Sequence, residues 1–532
     1  MKVALIASHR KAGAYEQTFG ISMPPLSAAY LASVAKERGY DAKFFDAFAL
    51  NANEEKLAEL ISAYDPDIAA FLINASTYAN PSIKVAKKLK EAGNVKYVVA
   101  GGHHATFTYS LLLKNGFDVI FLREGEVTFS NFLNEIKQGE NFENINSIAY
   151  IKDGREIKVN PKVNYVMNLD ELPFPLFEIY DKEKYDMGVL DPGSKVITLE
   201  TSRGCPFNCE YCSVTKMWGG TWRFKSVDRV IKELERVKEL GYKWVFFIDD
   251  NFIIPIKKII DKRLILLDKI AKSSLKKLKL IVQLRADFVA KNQWIVNKLY
   301  EGGIRLTFLG IESGDPETLK NMRKNLVPND SALAVSLLSK AGIIVHAGFI
   351  LGAPYETEKA MNRTISFAKS LIDYGLDSAQ FSIYTPLPGT DAFHRALKEK
   401  ALLTLDWDLY DTLHPVERTK ISPIKLFLKD RLAYYSFFLT KGIKGIRKGT
   451  LLSAPKREKD VYLTNGTRFI IKRIPRYFAG ICKLPFTAIA LWFKLRKKPE
   501  EEDLVELEKI MEMSEQSLKE IKILEQKAIQ KN

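Results

Sequence analysis

The chain has 532 residues and carries 80 Lys/Arg against 64 Asp/Glu, a formal net charge of +16. Hydrophobic residues at 46% and charged residues at 27% exclude a disordered or fibrous protein, and the length predicts two to four domains. Four cysteines and a first apolar run of only five residues exclude a disulfide framework and predict a reducing, cytoplasmic setting.

Residues 1–160 read as short apolar strands alternating with helices. Val3–Ala7, Ala42–Asp46, Ile68–Ile73, Tyr97–Ala100 and Val119–Leu122 are the strands, with a helix from about Leu26 to Gly39. Such alternation predicts a doubly wound, Rossmann-like parallel sheet covered on both faces, with ligands beyond the strand carboxyl ends. Residues 161–193, with Pro161, Pro173, Pro175 and Pro192, suit a linker. A second series spans 194–410, with strands Val196–Leu199, Trp244–Ile248, Leu280–Leu284, Leu306–Leu309, Val345–Ile350 and Ser378–Ile383. Six βα units predict a partial (β/α)6 barrel with its chemistry at the strand carboxyl ends.

The last region, 411–532, reads as helical and basic. Between Ile421 and Lys498 stand 19 Lys/Arg and 3 Asp/Glu, so the rest of the chain is close to neutral. Leu484–Phe493 is apolar but too short to span a bilayer. Around it, Lys472, Arg473, Arg476, Lys483, Lys494, Arg496, Lys497 and Lys498 interleave with aromatic and aliphatic residues, the pattern of a helix lying at a membrane surface. Long apolar runs such as Ala488–Phe493 argue against a nucleic-acid face, although RNA binding and simple packing on the barrel are the competing readings. From Glu500 the spacing of Leu504, Leu507, Ile510, Met513, Leu518, Ile521 and Leu524 predicts a terminal amphipathic helix. Cys482, alone among apolar residues, reads as a small buried or lipid-facing side chain.

Three cysteines fall in Cys205-Pro-Phe-Asn-Cys209-Glu-Tyr-Cys212, directly after the first barrel strand. These spacings place three thiolates on one loop, close enough to share a metal cluster. Structural zinc requires a fourth ligand, and no Cys or His follows within a hundred residues. The motif, after a strand that opens a six-unit βα series, resembles the radical S-adenosylmethionine (SAM) superfamily. The resemblance implies a [4Fe–4S] cluster on Cys205, Cys209 and Cys212, whose open iron chelates SAM and whose electron generates a hydrogen-abstracting radical. It further assigns Tyr211 beside the adenine, Asp249 or Asp250 to the SAM amino group, Arg285 to its carboxylate, Glu312 or Ser313 to the ribose, and the Gly348–Glu356 stretch, with Gly352, to the adenine. Tyr384 and Tyr355, near strand ends, are the candidates for quenching a substrate radical. A ferredoxin- or flavodoxin-type donor would supply the electron.

Pro24–Val34, Asp46, Val98–His103 and Leu122-Arg-Glu-Gly-Glu126 resemble the cobalamin-binding domain that precedes many radical SAM domains. Gly101 and Gly102 would let backbone approach a bulky ligand, and Ser76 and Thr77 would meet its nucleotide tail. The Asp-x-His-x-x-Gly element that ligates cobalt in other proteins is absent, and His9–Gly13 does not replace it; His103 and His104 read as loop residues. Domain order and the Asp408–Pro415 stretch resemble the group of hopanoid methylases, anaerobic magnesium-protoporphyrin ester cyclase and archaeal tetraether-lipid ring synthases. The resemblance implies a membrane-lipid substrate, a peripheral place on the membrane, and carbon–carbon bond formation. Ring closure in a tetraether lipid is the first expectation; cobalamin-dependent C-methylation and RNA modification are the alternatives.

Overall fold

The computed structural model describes residues 1–8, 20–139, 141–154, 156–162, 165–447, 483–496 and 498–529. Two seven-stranded sheets organise it. The first takes β1 (Lys2–Ala7), β2 (Asp41–Asp46), β3 (Ile68–Leu72), β4 (Tyr97–Gly101), β5 (Val119–Phe121), β6 (Ile148–Lys152) and β7 (Glu156–Asn160) in the order β2-β1-β3-β4-β5-β6-β7. Its first five strands are parallel, and β6 and β7 extend it as an antiparallel hairpin that the sequence reading did not include.

Strand periodicity explains why both faces are dry. Val3 and Leu5 of β1 point to one side, packing with Ala32, Ala35, Phe129 and Phe132 from helices Leu26–Glu37 and Glu126–Gln138. Ala4 and Ile6 point to the other, joining Leu57, Ile61, Val85 and Leu89 from helices Glu54–Tyr64 and Ala79–Ala92. Continuous apolar runs, rather than alternating ones, are what such a doubly covered sheet needs.

The second sheet takes β8 (Asp186–Met187), β9 (Asp191–Leu199), β12 (Trp244–Phe247), β13 (Lys279–Arg285), β14 (Ile304–Glu312), β15 (Ile344–Leu351) and β16 (Ser378–Ile383) in the order β16-β15-β14-β13-β12-β9-β8. The six strands from β9 to β16 are parallel, and the sheet curls without closing, a half-barrel. Val196, Trp244, Phe246, Ile281, Leu306 and Ile344 fill its concave side, while Ile197, Val245 and Phe247 pack outward under the helices. A small clasp of β10 (Ser202–Arg203) and β11 (Arg223–Phe224) stands above its first strand.

The proline-rich 161–193 segment is a packed strap. Leu169, Phe177, Tyr180 and Tyr185 are buried in the barrel core, and two of them reach back to the first half. The Tyr180 hydroxyl donates to Pro25 O at 2.6 Å and accepts from Ala29 N at 3.1 Å, and the Tyr185 hydroxyl donates to Asp46 Oδ2 at 2.7 Å.

The tail also packs on both halves. Helix Pro423–Arg447 inserts Leu426, Ala433 and Phe437 into the barrel core and Phe427 into the first domain's core. Residues 483–494 are helical. They bury Leu484, Ala488 and Leu491 and leave Phe486, Ile489, Trp492 and Phe493 in solvent. In helix Glu501–Ile529, Leu507 and Ile510 face the core as their spacing predicts, whereas Met513 is exposed. Lys472, Arg473, Arg476, Cys482, Lys497 and the His9–Gly13 stretch lie outside the described residues, as do the side chains of Leu518, Ile521 and Leu524. No helix among the described residues is long and apolar enough to cross a membrane.

Candidate functional site

The cluster loop is held by backbone contacts before any cofactor enters. Asp249, after β12, accepts from Thr201 N at 2.9 Å, Thr201 Oγ1 at 2.8 Å, Ser202 Oγ at 2.8 Å and from Ser202 N. Arg263 Nη2 donates to the same Ser202 hydroxyl at 2.9 Å. Burial pushes the Asp249 carboxyl up and the Arg263 guanidinium opposes that rise. The next residue, Asp250, accepts from Gly204 N at 3.1 Å through Oδ2, and burial pushes it up to about 7. Gly204 has φ +94°, and a Cβ there would stand 2.0 Å from Thr221 O, so only glycine fits immediately before Cys205. Asp249, one of the two acids expected at the SAM amino group, thus braces the loop through its oxygens.

The three thiols lie on that loop, and Cys212 N closes a turn onto Cys209 O at 3.2 Å. Burial, with Asp250 and the other two cysteines, pushes Cys212 up to about 12, and burial pushes Cys205 up to about 11. Metal binding must displace these protons, as thiolate ligation always does. Among the described residues no three His, Cys, Asp or Glu side chains converge as the ligands of one ion do.

Several SAM candidates gather around the cysteines. Arg285 stacks on Phe207 of the loop, its guanidinium 3.7 Å from the ring, and Asp287 accepts from its Nε and Nη2, both at 3.0 Å. Tyr211 is half-buried beside Glu312, which pairs with Lys324 at 2.9 Å. Glu312 sits at φ +65° where the β14–β15 register slips, a strained backbone that turns its carboxylate toward the loop. Ser313, the other residue expected at the ribose, is fully buried, bonded to Thr364 Oγ1 at 2.8 Å and accepting from Asp315 N at 3.0 Å. Gly352, at φ +82°, lies against Leu426, which a Cβ would meet at 2.4 Å, and its N–H donates to Glu356 at 2.6 Å. Tyr211, Tyr355 and Tyr384 share one small apolar cluster. The Tyr355 hydroxyl bonds Glu210 at 3.2 Å, and the buried Tyr384 hydroxyl has no partner among the described residues.

Where the two sheets' carboxyl ends meet, a cavity of about 1000 Å³ opens. Ser76, Thr77, Gly101, Gly102, His103 and His104 form its first-domain wall, so all four residues expected at cobalamin line one chamber. Gly102 has φ +114°, and a Cβ would meet Asn74 Oδ1 at 2.5 Å and the Ile73 carbonyl carbon at 2.8 Å. His103 and His104 start a short helix, His103–Phe107, rather than a loop. Burial pushes them down to about 4 and about 3, so both rings are neutral. His104 Nδ1 lies 3.0 Å from Ser76 Oγ, its ring packs edge-on to Trp407 at 4.6 Å, and its Nε2 has no partner among the described residues. Chamber size, side-chain-free Gly101–Gly102 and this orphaned buried nitrogen fit a large polar cofactor.

A buried ionic network that the sequence does not reveal lines the chamber at the domain junction. Arg203, two residues before Cys205, pairs with Glu126 at 2.6 Å and Glu200 at 2.8 Å, and Arg223 pairs with Glu124. Glu124 and Glu126 belong to the Leu122–Glu126 motif. Arg203 and Arg223 sit opposite each other across the β10–β11 clasp.

Comparisons with known proteins agree with this geometry. The model of the radical SAM superfamily matches residues 199–368, and that of the B12 binding domain matches 15–133. An uncharacterized methyltransferase of Pyrococcus horikoshii is 34% identical over 484 residues, covering 90% of this chain and 97% of that one. The hopanoid C-3 methylase of Methylococcus capsulatus is 26% identical over 411 residues, covering 76% and 75%. The structure of OxsB, a cobalamin-dependent S-adenosylmethionine radical enzyme with aqua-cobalamin and S-adenosylmethionine bound, shares the fold at TM-score 0.65 and 17% identity, covering 99% of this chain and 81% of that one.

Proposed function

Because this chain belongs to the radical SAM superfamily, in the branch with a B12-binding domain ahead of the radical SAM domain, we propose that it is a C-methyltransferase acting on unactivated carbon of a hydrophobic substrate, a membrane lipid by preference. The observation that carries the reading is the single chamber of about 1000 Å³, walled by the strand ends of both sheets beside the cysteine loop. When bound, the [4Fe–4S] cluster with SAM supplies a hydrogen-abstracting radical, and cobalamin supplies a transferable methyl group.

The chain's own residues arrange that chemistry. Cys205, Cys209 and Cys212 would hold the cluster on a loop that Asp249 and Asp250 fix by backbone hydrogen bonds. Arg285 presents a cation for the SAM carboxylate, and Glu312 presents an acceptor beside Tyr211. Ser76, Thr77, Gly101 and Gly102 would receive cobalamin on the facing wall, with no histidine ligand required. Phe71, Leu72, Phe246, Ile248 and Phe381 keep the space between them largely apolar, which excludes water from a radical.

Methyl transfer has the support of the relatives' names; ring closure in an archaeal tetraether lipid draws none from them. A membrane surface suits the helix at 483–494, which exposes Phe486 at 73% and Phe493 at 61% beside Lys494 and Arg496. An electron from a ferredoxin- or flavodoxin-type donor on the cytoplasmic side completes this reading.

The test is anaerobic turnover of reconstituted enzyme with SAM, cobalamin, a reductant and lipid extract. A lipid that gains a methyl group, with 5′-deoxyadenosine and S-adenosylhomocysteine released together, is the expected result. A lipid that only loses two hydrogens, without S-adenosylhomocysteine, would replace methylation by ring closure. Pelleting with anionic vesicles tests the membrane contact, and salt-reversible RNA binding without vesicle binding would overturn it.

A further inference from the structure

Across the chamber from the glycine wall stands a tail-derived wall that no part of the methyl-transfer reading uses. It is built from Tyr410, Asp411, Thr412 and Leu413 and from Asp430, Arg431, Tyr434 and Tyr435 of helix Pro423–Arg447. The first four belong to the Asp408–Pro415 stretch. Thr412, at φ +62°, turns its carbonyl to accept from Ile383 N at 2.6 Å, tying the wall to the end of β16.

Tyr410, Asp411 and Arg431 on this wall are engaged, the Tyr410 hydroxyl donating to Thr404 O at 2.8 Å. The Asp411 carboxylate accepts from Leu413 N at 2.9 Å and lies 2.9 and 3.0 Å from His414 Nδ1. Arg431 lies over the Phe427 ring and reaches Leu413 O at 3.5 Å. Asp430 is different. It lines the chamber at 1% exposure, and its Oδ1 has no hydrogen-bond partner among the described residues. Burial pushes its carboxyl up to about 8, with Arg431 opposing and Asp411 adding to the rise. A neutral acid in an aromatic, mostly dry wall is costly unless something completes its hydrogen bonding.

We infer that Asp430 is the specificity-determining end of the substrate chamber, hydrogen-bonding a neutral hydroxyl of an otherwise apolar substrate so that its saturated carbons lie between the cysteine loop and the cobalamin wall. This rests on the C-methyltransferase reading for the chamber's other occupants, but the recognition itself is a property of this wall. An alcohol suits the site better than a carboxylate or phosphate, because an anion would have to leave water for a buried wall that offers it a protonated acid and the neighbouring Asp411 carboxylate. It also suits the site better than an alkane, which would leave Oδ1 unsatisfied.

The test uses cluster-reconstituted, cobalamin-loaded enzyme with cyclohexanol and cyclohexane as matched probes, their binding read by headspace partitioning. Wild type should bind cyclohexanol saturably. Asp430→Leu should shift the alcohol-to-alkane affinity ratio about tenfold toward the alkane, while Asp430→Asn, which keeps a hydrogen-bonding side chain, should stay within about threefold of wild type. An unchanged ratio in Asp430→Leu, or no saturable cyclohexanol binding to wild type, would overturn the inference. The cobalamin and cluster absorbances of each variant report whether the fold and cofactors are intact. Failure of wild type to take up cobalamin would count against the methyltransferase reading and leave the probe ratio to judge Asp430 separately.

Discussion

The two sheets present their carboxyl ends to one chamber but prepare them in opposite ways. The first sheet withholds side chains: Gly101 and Gly102 leave backbone bare beside Ser76 and Thr77. The second sheet spends side chains: Asp249 and Asp250 turn inward to hold the Thr201–Gly204 backbone, which in turn places three thiols. A bulky organic ligand needs room and a few polar contacts, whereas a cluster needs its ligands fixed in place. The same strand-end topology thus serves both, and the side chains decide which.

The comparison breaks most completely at the cysteines. Cys205→Ser should abolish cluster absorbance and 5′-deoxyadenosine formation while leaving cobalamin uptake near wild type, because the glycine wall shares no residue with the loop. Loss of both cofactors together would show that the two preparations are one. Next in size is the network that joins them. Arg203→Met leaves Glu126 and Glu200 buried without their partner, and should cost about 3–5 kcal/mol in chemical denaturation. Gly102→Ala forces a Cβ into Ile73 and Asn74 at positive φ, and should cost about 2–4 kcal/mol. It should also weaken cobalamin binding, read by absorbance titration, with cluster content unchanged.

Much of this was legible in the sequence because strands buried on both faces announce themselves as unbroken apolar runs. Val3–Ala7 and Trp244–Ile248 are of this kind, and the three-cysteine spacing marks its own loop. What stayed hidden depends on partners distant in the chain. Nothing local to Asp249 reveals that Thr201 and Ser202, some fifty residues earlier, donate to its carboxylate. The bond between Ser313 and Thr364 is hidden for the same reason. Arg203 went unnoticed although it abuts the motif, since its acids come from two domains. The proline-rich strap read as a linker because prolines mark irregular backbone and say nothing of whether its aromatic residues are buried. Asp430 was one of three acids in a basic segment, and charge counting treats all three as solvated.

That acid gives the smallest and most discriminating test of the contrast between the chamber's walls. An unfolded chain releases the Asp430 proton near the ordinary aspartate value of about 3.9, whereas the folded chain keeps it to about 8. The folded state therefore holds an extra proton in the window between, so this contribution to stability is present at low pH and lost as pH rises through about 8. Between pH 6 and 9 the linkage amounts to about 2–3 kcal/mol of lost stability. Asp430→Asn, which cannot ionise, should flatten the denaturant-midpoint profile by that amount relative to wild type over the same range. Neutral rings on the facing wall, His103 and His104, titrate far below this window, so they leave the profile untouched there. Identical profiles for wild type and Asp430→Asn would mean that the carboxyl ionises normally. Bound cyclohexanol, by completing the hydrogen bond to the protonated acid, should move the wild-type decline to higher pH and leave Asp430→Leu unmoved.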